Sequence, residues 1–295
     1  MEGQVGAAGP GTHTAVQYAP PGRLGQPRGM PRMQVDGAEL HYEDTGGSGT
    51  PVVFAHGLLW SGAMYRFQVE ALRGAHRCIS FDFRGQGRSP IADSGYDMDT
   101  LARDAAALIE KLRAAPCHFV GLSMGGFIGM RLALRRPELL RSLTLIETAG
   151  DPEPALNKPK YALMGLITRA LGTRPLVKPI MKIMFGRSFL RDPAKAGLRE
   201  SLKQELLAND VRGSVLALRG VIGRAGLMDE LRSIRTPTLV LSGEEDVAVR
   251  PERSRRTAER IPGARFLLVP GAGHTSSLEQ PEAITAALRD FFASR

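Results

Sequence analysis

The pentapeptide Gly121-Leu122-Ser123-Met124-Gly125 decides the fold of this 295-residue chain. A β-rich apolar run from Cys117 to Val120 precedes it, and a helical pattern from Met124 to Leu134 follows it. The pattern G-x-S-x-G between a strand and a helix is typical of a nucleophile elbow, a sharp turn that exposes a serine at the end of a strand. Glycines flank the serine because such a turn leaves no room for side chains beside it. We therefore predict that Ser123 is a nucleophile.

Short β-rich runs lie on both sides of this turn, and turn residues such as Gly, Asp and Pro separate them. The eight candidate strands are Met33 to Val35, Ala38 to Tyr42, Val52 to Ala55, Cys78 to Phe83, Cys117 to Val120, Ser142 to Ile146, Thr238 to Ser242 and Phe266 to Val269. Helical patterns such as Leu101 to Leu112 alternate with the later strands. This alternation predicts an α/β fold with a mostly parallel sheet and helices on both faces.

Two segments depart from the alternation. Residues 151–228 contain no clear strand but do contain apolar helical stretches, which indicates helices inserted between two strands. Residues 1–32 are rich in Gly and Pro and have little apolar periodicity, so they predict a disordered N-terminal arm. The core is then expected to comprise residues 33–150 and 229–295.

The composition excludes several classes of protein. At 43% hydrophobic and 23% charged residues the chain is an ordinary globular protein. Its apolar runs are far shorter than the roughly 20 residues of a membrane-spanning helix, and we see no secretory signal, so we expect a cytoplasmic protein. The net charge is +9, but no dense Lys/Arg block with interleaved aromatic residues is present, so we expect no nucleic-acid partner. Neither a metal-ligand cluster nor a dinucleotide fingerprint occurs, and no cofactor or metal is expected.

A nucleophilic serine needs a base that takes its proton. The chain order associated with this elbow is serine, acid, histidine. His274 is the only one of the six histidines that follows Ser123, and it lies in the loop after the last predicted strand. We therefore predict that His274 is the base.

The histidine in turn needs a carboxylate that orients it. Asp246 follows the predicted strand from Thr238 to Ser242, and active sites of such sheets gather at the carboxyl ends of strands. We predict that Asp246 is this acid. Three other carboxylates remain as alternatives: Glu244 and Glu245 in the same turn, and Glu147 at the end of the preceding strand.

Acyl transfer also needs hydrogen-bond donors for the developing oxyanion. The elbow offers the N–H of Met124, the residue after the nucleophile. The second donor is expected from the loop after the third predicted strand, where we assign the N–H of Leu58. We interpret His56, at the start of that loop, as a structural residue that braces it.

As a set, these residues resemble the α/β-hydrolase superfamily from about residue 33 to the C-terminus. The matching positions are His56-Gly57, the loop from Asp82 to Ser89, the elbow extended to Gly126, Asp246 and His274. The resemblance implies a core with an eight-stranded sheet. It also implies that the inserted residues 151–228 form a helical cap on this core. Within the superfamily, the Gly-Leu-Ser-Met-Gly-Gly elbow is similar to that of 3-oxoadipate enol-lactonases and related carboxylesterases. A serine at position 123 argues against the haloalkane dehalogenase and epoxide hydrolase branches, whose nucleophile is Asp.

The resemblance also concerns the two cysteines, Cys78 and Cys117. In the family's strand order another strand lies between theirs, so they should stand roughly 10 Å apart. A disulfide needs less than roughly 7 Å between the Cα atoms. We expect two reduced, buried thiols.

The function that follows is a serine hydrolase that cleaves a small-molecule carboxylic ester or lactone through an acyl-enzyme. An acyltransferase or perhydrolase with the same three residues, and a non-catalytic ligand-binding member of the fold, remain alternatives. Three candidate pocket residues are Trp60, Met164 and Met184. The two methionines belong to an apolar stripe that also contains Met181, Phe185 and Phe189, and such a stripe is usually part of a core. Trp60 is equally compatible with a packing role. Residues 151–228 hold fourteen basic and six acidic side chains, a balance of +8. Such a field can attract an anionic substrate or an acidic lipid surface, although a solvated helical face is the simpler interpretation.

Overall fold

The computed structural model describes residues 31–295, and their centre is one eight-stranded sheet. Its strands are β1 (Arg32–Val35), β2 (Ala38–Asp44), β3 (Pro51–Ala55), β4 (Arg77–Phe81), β5 (Cys117–Leu122), β6 (Leu140–Ile146), β7 (Thr238–Gly243) and β8 (Arg265–Val269). The order across the sheet is β1-β2-β4-β3-β5-β6-β7-β8. β2 pairs antiparallel with β1 and β4, and every other pairing is parallel. The predicted fold class is confirmed.

The central position of β5 follows from its composition. All six of its residues are buried, because strands and helices cover it on every side. A parallel strand in such surroundings has no polar face, which is why Cys117–Leu122 is a continuous apolar run apart from one histidine. β5 therefore holds the turn that follows it at the middle of the sheet edge.

One strand is shorter than predicted. β4 ends at Phe81, whereas the sequence pattern continues to Phe83. The Asp82 carboxylate accepts hydrogen bonds from the Gly62 and Arg88 amides, and the Phe83 amide donates to His56 Nε2. These contacts pull the chain out of the sheet and into the loop that follows.

Helices cover both faces of the sheet. In the described residues they are α1 (Arg66–Leu72), α2 (Met98–Lys111), α3 (Met124–Arg135), α4 (Lys158–Leu171), α5 (Val177–Met184), α6 (Arg187–Arg191), α7 (Ala196–Leu207), α8 (Val211–Gly223), α9 (Pro251–Arg260), α10 (Ser276–Glu279) and α11 (Pro281–Ala293). Buried residues of α2, α3 and α9 share one apolar cluster, and those of α1, α5, α7 and α11 share a second one. The two clusters lie on opposite sides of the sheet.

Five helices, α4 to α8, follow one another between β6 and β7. They occupy the insertion in which the sequence pattern shows no strand. Most of the predicted arm lies outside the described residues; its last residue, Arg32, belongs to β1. No helix in residues 31–295 is long and apolar enough to cross a bilayer.

Both cysteines are free and buried, as expected. Cys78 lies on β4 and Cys117 on β5, and β3 lies between these strands. Burial raises the pKa of each thiol to about 12, so neither is a thiolate at neutral pH.

Candidate active site

The turn between β5 and α3 holds Ser123 in a conformation that side chains rarely adopt. Its φ is 51° and its ψ is −107°. Two buried hydrogen bonds maintain this backbone: the Ser123 amide donates to the Ile146 carbonyl at 2.8 Å, and the Ser123 carbonyl accepts from Thr148 Oγ1 at 2.9 Å. A side chain at Gly125 would collide with the backbone of Ala55. The surrounding structure thus enforces the local strain, as is common at functional sites.

The three residues predicted to act together form one hydrogen-bonded chain. His274 Nε2 lies 2.9 Å from Ser123 Oγ, and His274 Nδ1 lies 2.8 Å from Asp246 Oδ2. All three side chains are buried. A carboxylate only accepts hydrogen bonds, so Nδ1 carries the proton and Nε2 of the neutral imidazole is free to accept one from the serine.

Asp246 is itself fixed by the backbone that follows it. The amides of Ala248 and Val249 donate to Asp246 Oδ1 at 2.8 and 3.0 Å. The second oxygen is therefore left for His274. These contacts position the carboxylate before any substrate enters.

The other candidate acids contact different partners. Glu244 accepts from the Gly271 amide, and Glu245 accepts from Ser188. Glu147 is fully buried and accepts from the Gly243 amide. Burial, together with the charge of nearby Asp246, raises the pKa of Glu147 well above its usual value, which favours the neutral form of this carboxyl group.

A buried carboxylate that the sequence pattern did not reveal holds the His274 loop. Glu279 accepts from the Gly273 and Thr275 amides, each at 3.0 Å, and from the Thr275 hydroxyl at 3.1 Å. It also accepts from the Gly186 amide, between α5 and α6, at 2.8 Å. Glu279 thereby ties the residues on both sides of His274 to the inserted helices.

The loop after β3 contains the predicted oxyanion donor Leu58. His56 is fully buried; its Nδ1 lies 2.7 Å from the Gly57 carbonyl, and its Nε2 accepts from the Phe83 amide at 3.0 Å. Burial lowers the pKa of His56, which keeps the ring neutral and suited to these contacts. His56 thus braces the loop, in the structural role that we assigned to it.

Gln86 fixes the same loop from the other side. Its Oε1 accepts from the Leu59 amide at 2.9 Å, and Leu59 has a positive φ of 67°. The Leu58 amide has no hydrogen-bond partner in residues 31–295, and the Met124 amide is the first of α3, where helix amides lack intrahelical partners. Two backbone donors are therefore available near Ser123 for a substrate oxygen.

A cavity of about 80 Å³ has both Ser123 and His274 in its wall. Of the predicted pocket residues, Trp60 and Met184 line this cavity, while Met164 lines an adjoining apolar cavity of about 70 Å³. The two cavities share five lining residues: Leu58, Tyr161, Ile183, Met184 and Leu218. They therefore form two compartments of one cleft beneath the inserted helices.

The aromatic residues of the predicted stripe pack in the core instead. Phe185 meets Trp60 edge-on at 6.0 Å between ring centroids, and it stacks on Phe189 at 5.0 Å. Both phenylalanines are almost fully buried. Neither lines the cleft, so their role is to support its walls.

The cleft also contains a charged pair that the sequence does not reveal. Arg224 Nη1 donates to Glu153 Oε2 at 3.0 Å, and both residues line the cavity with Ser123. Local sequence does not distinguish Arg224 from the other basic residues of the insertion, because the cavity forms only when α8 folds over the sheet. In residues 31–295 we also find no group of three or more His, Cys, Asp or Glu side chains that could hold a metal ion.

Comparisons with known proteins agree with the fold described above. A family model described as "alpha/beta hydrolase fold" matches residues 50–281. A Mycobacterium tuberculosis protein named "Putative non-heme bromoperoxidase BpoC" is 34% identical over 259 residues, which cover 86% of this chain and 98% of that protein. Among solved structures, a thermophilic esterase from Thermogutta terrifontis has 30% identity and a TM-score of 0.81, covering 87% of this chain and 94% of its own. The enol-lactonase from Burkholderia xenovorans LB400 has 28% identity and a TM-score of 0.83, covering 89% of this chain and 100% of its own.

Proposed function

This chain belongs to the α/β-hydrolase family, and we propose that it is a serine hydrolase that cleaves a small carboxylic ester or lactone through an acyl-enzyme. The observation that carries the proposal is the hydrogen-bonded chain from Ser123 through His274 to Asp246. The esterase and enol-lactonase among the similar structures support the choice of bond.

In the first step, Ser123 Oγ attacks the substrate carbonyl carbon while His274 Nε2 takes the hydroxyl proton. The carbonyl oxygen becomes an oxyanion, which accepts hydrogen bonds from the Leu58 and Met124 amides. Asp246 stabilises the imidazolium that forms and keeps the proton on Nδ1. These interactions are strongest when charge has developed, so they lower the barrier rather than merely bind the substrate.

In the second step, the tetrahedral intermediate collapses and the alkoxy oxygen leaves with the proton from His274. A water molecule then gives a proton to His274 and attacks the acyl-enzyme. The second intermediate releases the carboxylic acid and restores the Ser123 hydroxyl.

The cleft favours small acyl groups. The compartment beside Ser123 is about 80 Å³, and Trp60 and Met184 form part of its wall. Longer chains would have to enter the second compartment, which is almost wholly apolar and includes Met164. We therefore expect activity to decline once the acyl chain exceeds the volume of both compartments.

A perhydrolase is the second candidate, and the 34% identity to the protein named as a bromoperoxidase favours it. In that reaction hydrogen peroxide takes the place of water in attacking the acyl-enzyme and releases a peroxy acid. The same Ser123, His274 and Asp246 would serve both reactions, because only the acceptor differs.

The experiment is steady-state hydrolysis of p-nitrophenyl esters from acetate to decanoate, together with a small lactone. Wild type is compared with Ser123→Ala, and each substrate is assayed with and without hydrogen peroxide or an added alcohol. We expect multiple turnovers that are lost in Ser123→Ala. Product analysis then separates hydrolysis from acyl transfer, while a folded wild type without turnover on any substrate would favour a ligand-binding member of the family.

A further inference from the structure

The helix α4 carries apolar side chains on two opposite faces. Its inner face contributes Tyr161 and Met164 to the walls of the cleft. Its outer face is a row of four exposed residues: Pro159, Leu163, Leu166 and Ala170. The spacing of four, three and four positions places them on one side of the helix. A surface helix usually has polar residues opposite its buried face, so this apolar row needs an explanation.

Four leucines of this part of the chain are strongly exposed. Leu163 and Leu166, on the outer face, are 57% and 61% exposed, and Leu156 and Leu171, near the two ends of α4, are 93% and 68% exposed. These four are more than half of the large apolar side chains that are exposed in residues 31–295. Single exposed leucines are ordinary, but a cluster of them marks an interaction surface.

The charges around the outer face all have one sign. Residues 154–191 contain no acidic residue and eight basic ones: Lys158, Lys160, Arg169, Arg174, Lys178, Lys182, Arg187 and Arg191. All eight are exposed. None of them forms an ion pair with an acidic residue of the described part of the chain. Their positive field is therefore not neutralised by local partners.

The acidic residues that bound this segment have partners of their own. Glu153 binds Arg224, and Asp192 accepts a hydrogen bond from the Ala194 amide. Neither carboxylate is paired with one of the eight basic residues. The segment thus keeps its positive charge from end to end.

Three of the eight charges lie directly beside the outer face. At about 100° per residue, Lys158 and Arg169 lie along one edge of the row and Lys160 lies along the other. A groove of about 360 Å³ between α4 and α8 continues the surface past Leu166, and Arg169 and Arg219 are in its wall. The apolar row is therefore flanked by cations on both sides.

Charge decides between the possible occupants of this face. A second copy of the chain, related by a twofold axis, would bring the same row of cations against it, and like charges repel. Residues 1–30 contain two basic residues, Arg23 and Arg28, and one acidic residue, Glu2, so they do not complement the segment either. The occupant must be anionic.

The residue types favour a lipid surface over a protein. The core of a protein interface is enriched in aromatic residues and depleted in lysine. Here half of the eight charges are lysines, and residues 154–191 contain no exposed aromatic residue. A row of leucines with lysine and arginine at its edges is instead typical of a helix that lies in the interface of an anionic bilayer.

We propose that the outer face of α4, with the basic residues around it, docks on a membrane surface that contains anionic lipid. The helix lies parallel to the bilayer, its leucines enter the boundary between headgroups and acyl chains, and the lysines and arginines contact lipid phosphates. Its inner face continues to cover the cleft. This inference goes beyond the proposed function and does not depend on it.

The test is co-sedimentation of the 295-residue chain with vesicles of phosphatidylcholine, either pure or with about a quarter of phosphatidylserine. The apolar variant is Leu163→Gln with Leu166→Gln, which keeps the charge. The basic variant is Lys158→Gln with Arg169→Gln, which keeps the leucines. All four side chains are exposed, so both variants should fold.

The matched control removes two charges elsewhere. Arg103 on α2 and Arg260 on α9 are exposed and form no ion pair within 4 Å in residues 31–295. Arg103→Gln with Arg260→Gln therefore has the same net charge as the basic variant. A difference between these two variants reports the position of the charges rather than their number.

We expect wild type to bind the anionic vesicles at least tenfold more tightly than the neutral ones. The apolar and the basic variant should each weaken binding to anionic vesicles at least tenfold, whereas the control should stay within about threefold of wild type. Wild type that binds neither kind of vesicle, or an apolar variant that binds as wild type does, would overturn the inference.

A fluorescent label locates the contact. The native cysteines Cys78 and Cys117 are buried, so Leu163→Cys can be labelled selectively with an environment-sensitive dye. Its emission should shift to the blue with anionic vesicles, while the same dye at Arg103→Cys should not respond. Binding without a shift at position 163 would place the contact elsewhere and contradict the proposal.

Other occupants would give different results. Sedimentation velocity would detect self-association, and titration with duplex DNA would detect nucleic-acid binding. Either of these, weakened by Leu163→Gln with Leu166→Gln and accompanied by no binding to vesicles, would assign the outer face to that partner and overturn the membrane site.

Discussion

The carboxylate of Glu279 accepts hydrogen bonds from the backbone on both sides of His274, from the amides of Gly273 and Thr275. The same carboxylate accepts from the Gly186 amide in the inserted helices. The position of the proposed base is therefore set by a residue that does not touch Ser123. The His274 loop and the inserted helices are therefore anchored by the same carboxylate.

Replacing this anchor should affect turnover more than substrate binding. In Glu279→Gln, either orientation of the amide puts an N–H group against backbone donors, so we expect a loss of about 2–4 kcal/mol in the free energy of unfolding. The protein that remains folded should show kcat lowered at least tenfold with KM changed less than about threefold. Chemical denaturation and steady-state kinetics measure the two effects. Destabilisation with unchanged kcat would show that Glu279 supports the fold without positioning His274.

Gln86 should position the proposed oxyanion loop. In Gln86→Ala the Leu59 amide loses its acceptor, so the Leu58 amide beside it should no longer be held in place. Loss of an oxyanion donor typically costs about 100-fold to 1000-fold in kcat, and a displaced donor should cost at least tenfold. Gln86→Glu is the control, because it keeps an acceptor oxygen and should recover most of the activity. Equal kcat values for wild type and Gln86→Ala would show that Gln86 does not position the Leu58 amide for catalysis.

The strained backbone of Ser123 should produce a difference in stability between two inactive variants of this residue. Ser123→Ala and Ser123→Gly both lose the hydroxyl, but only glycine accepts a φ of 51° and a ψ of −107° without strain. After its own entropic cost, glycine should leave the protein more stable than alanine by about 1 kcal/mol. Urea denaturation of the two variants side by side measures the difference. A less stable glycine variant would mean that the turn stores no strain.

His118 should make stability depend on acid pH. Burial lowers the pKa of His118 from 6.5 to about 4; its ring stacks on Phe292 at 4.2 Å and its Nδ1 lies 2.7 Å from Ser142 Oγ. Between pH 6.5 and about pH 4, His118 binds a proton in the unfolded chain but not in the folded chain. Stability therefore falls as the pH drops from 6.5 to 4, by up to roughly 3 kcal/mol from this group.

The measurement for His118 is urea denaturation of wild type and His118→Gln at several pH values from 4 to 7.5. Other groups titrate in the same range, so the informative quantity is the difference between the two proteins. We expect the stability of the variant to decline less on acidification. If the free energy of unfolding depends on pH in the same way for wild type and His118→Gln, then His118 binds its proton equally well in the folded and the unfolded chain.

Much of this architecture could be predicted from local sequence. The eight strands are short β-rich runs separated by turn residues, and the elbow is a contiguous pattern whose glycines have a steric cause. Chain order pointed to His274, and a position at the carboxyl end of a strand pointed to Asp246 among the nearby carboxylates. In the structure His274 lies within hydrogen-bond distance of both Ser123 and Asp246. The two extra residues predicted for β4 show the limit: Asp82 bonds to distant amides, and a pattern of apolar residues does not report such contacts.

The lining of the cleft could not be predicted in the same way. Arg224 and Glu153 are separated by about 70 residues and meet only because the inserted helices fold back over the sheet edge. Glu279 lies five residues after His274, but its importance comes from buried amides, which every sequence contains. Residues whose role depends on unsatisfied donors or shared cavities are recognisable only in three dimensions.

The central claim is that Ser123 becomes acylated during turnover. The direct measurement is rapid mixing of enzyme with excess p-nitrophenyl acetate, followed by acid quench and mass spectrometry of the intact protein and its peptides. The account predicts a burst of p-nitrophenol of up to one equivalent per enzyme and a transient acetyl adduct on the peptide that contains Ser123, with neither in Ser123→Ala. Turnover of the ester without any adduct on Ser123, or an undiminished burst in Ser123→Ala, would contradict it.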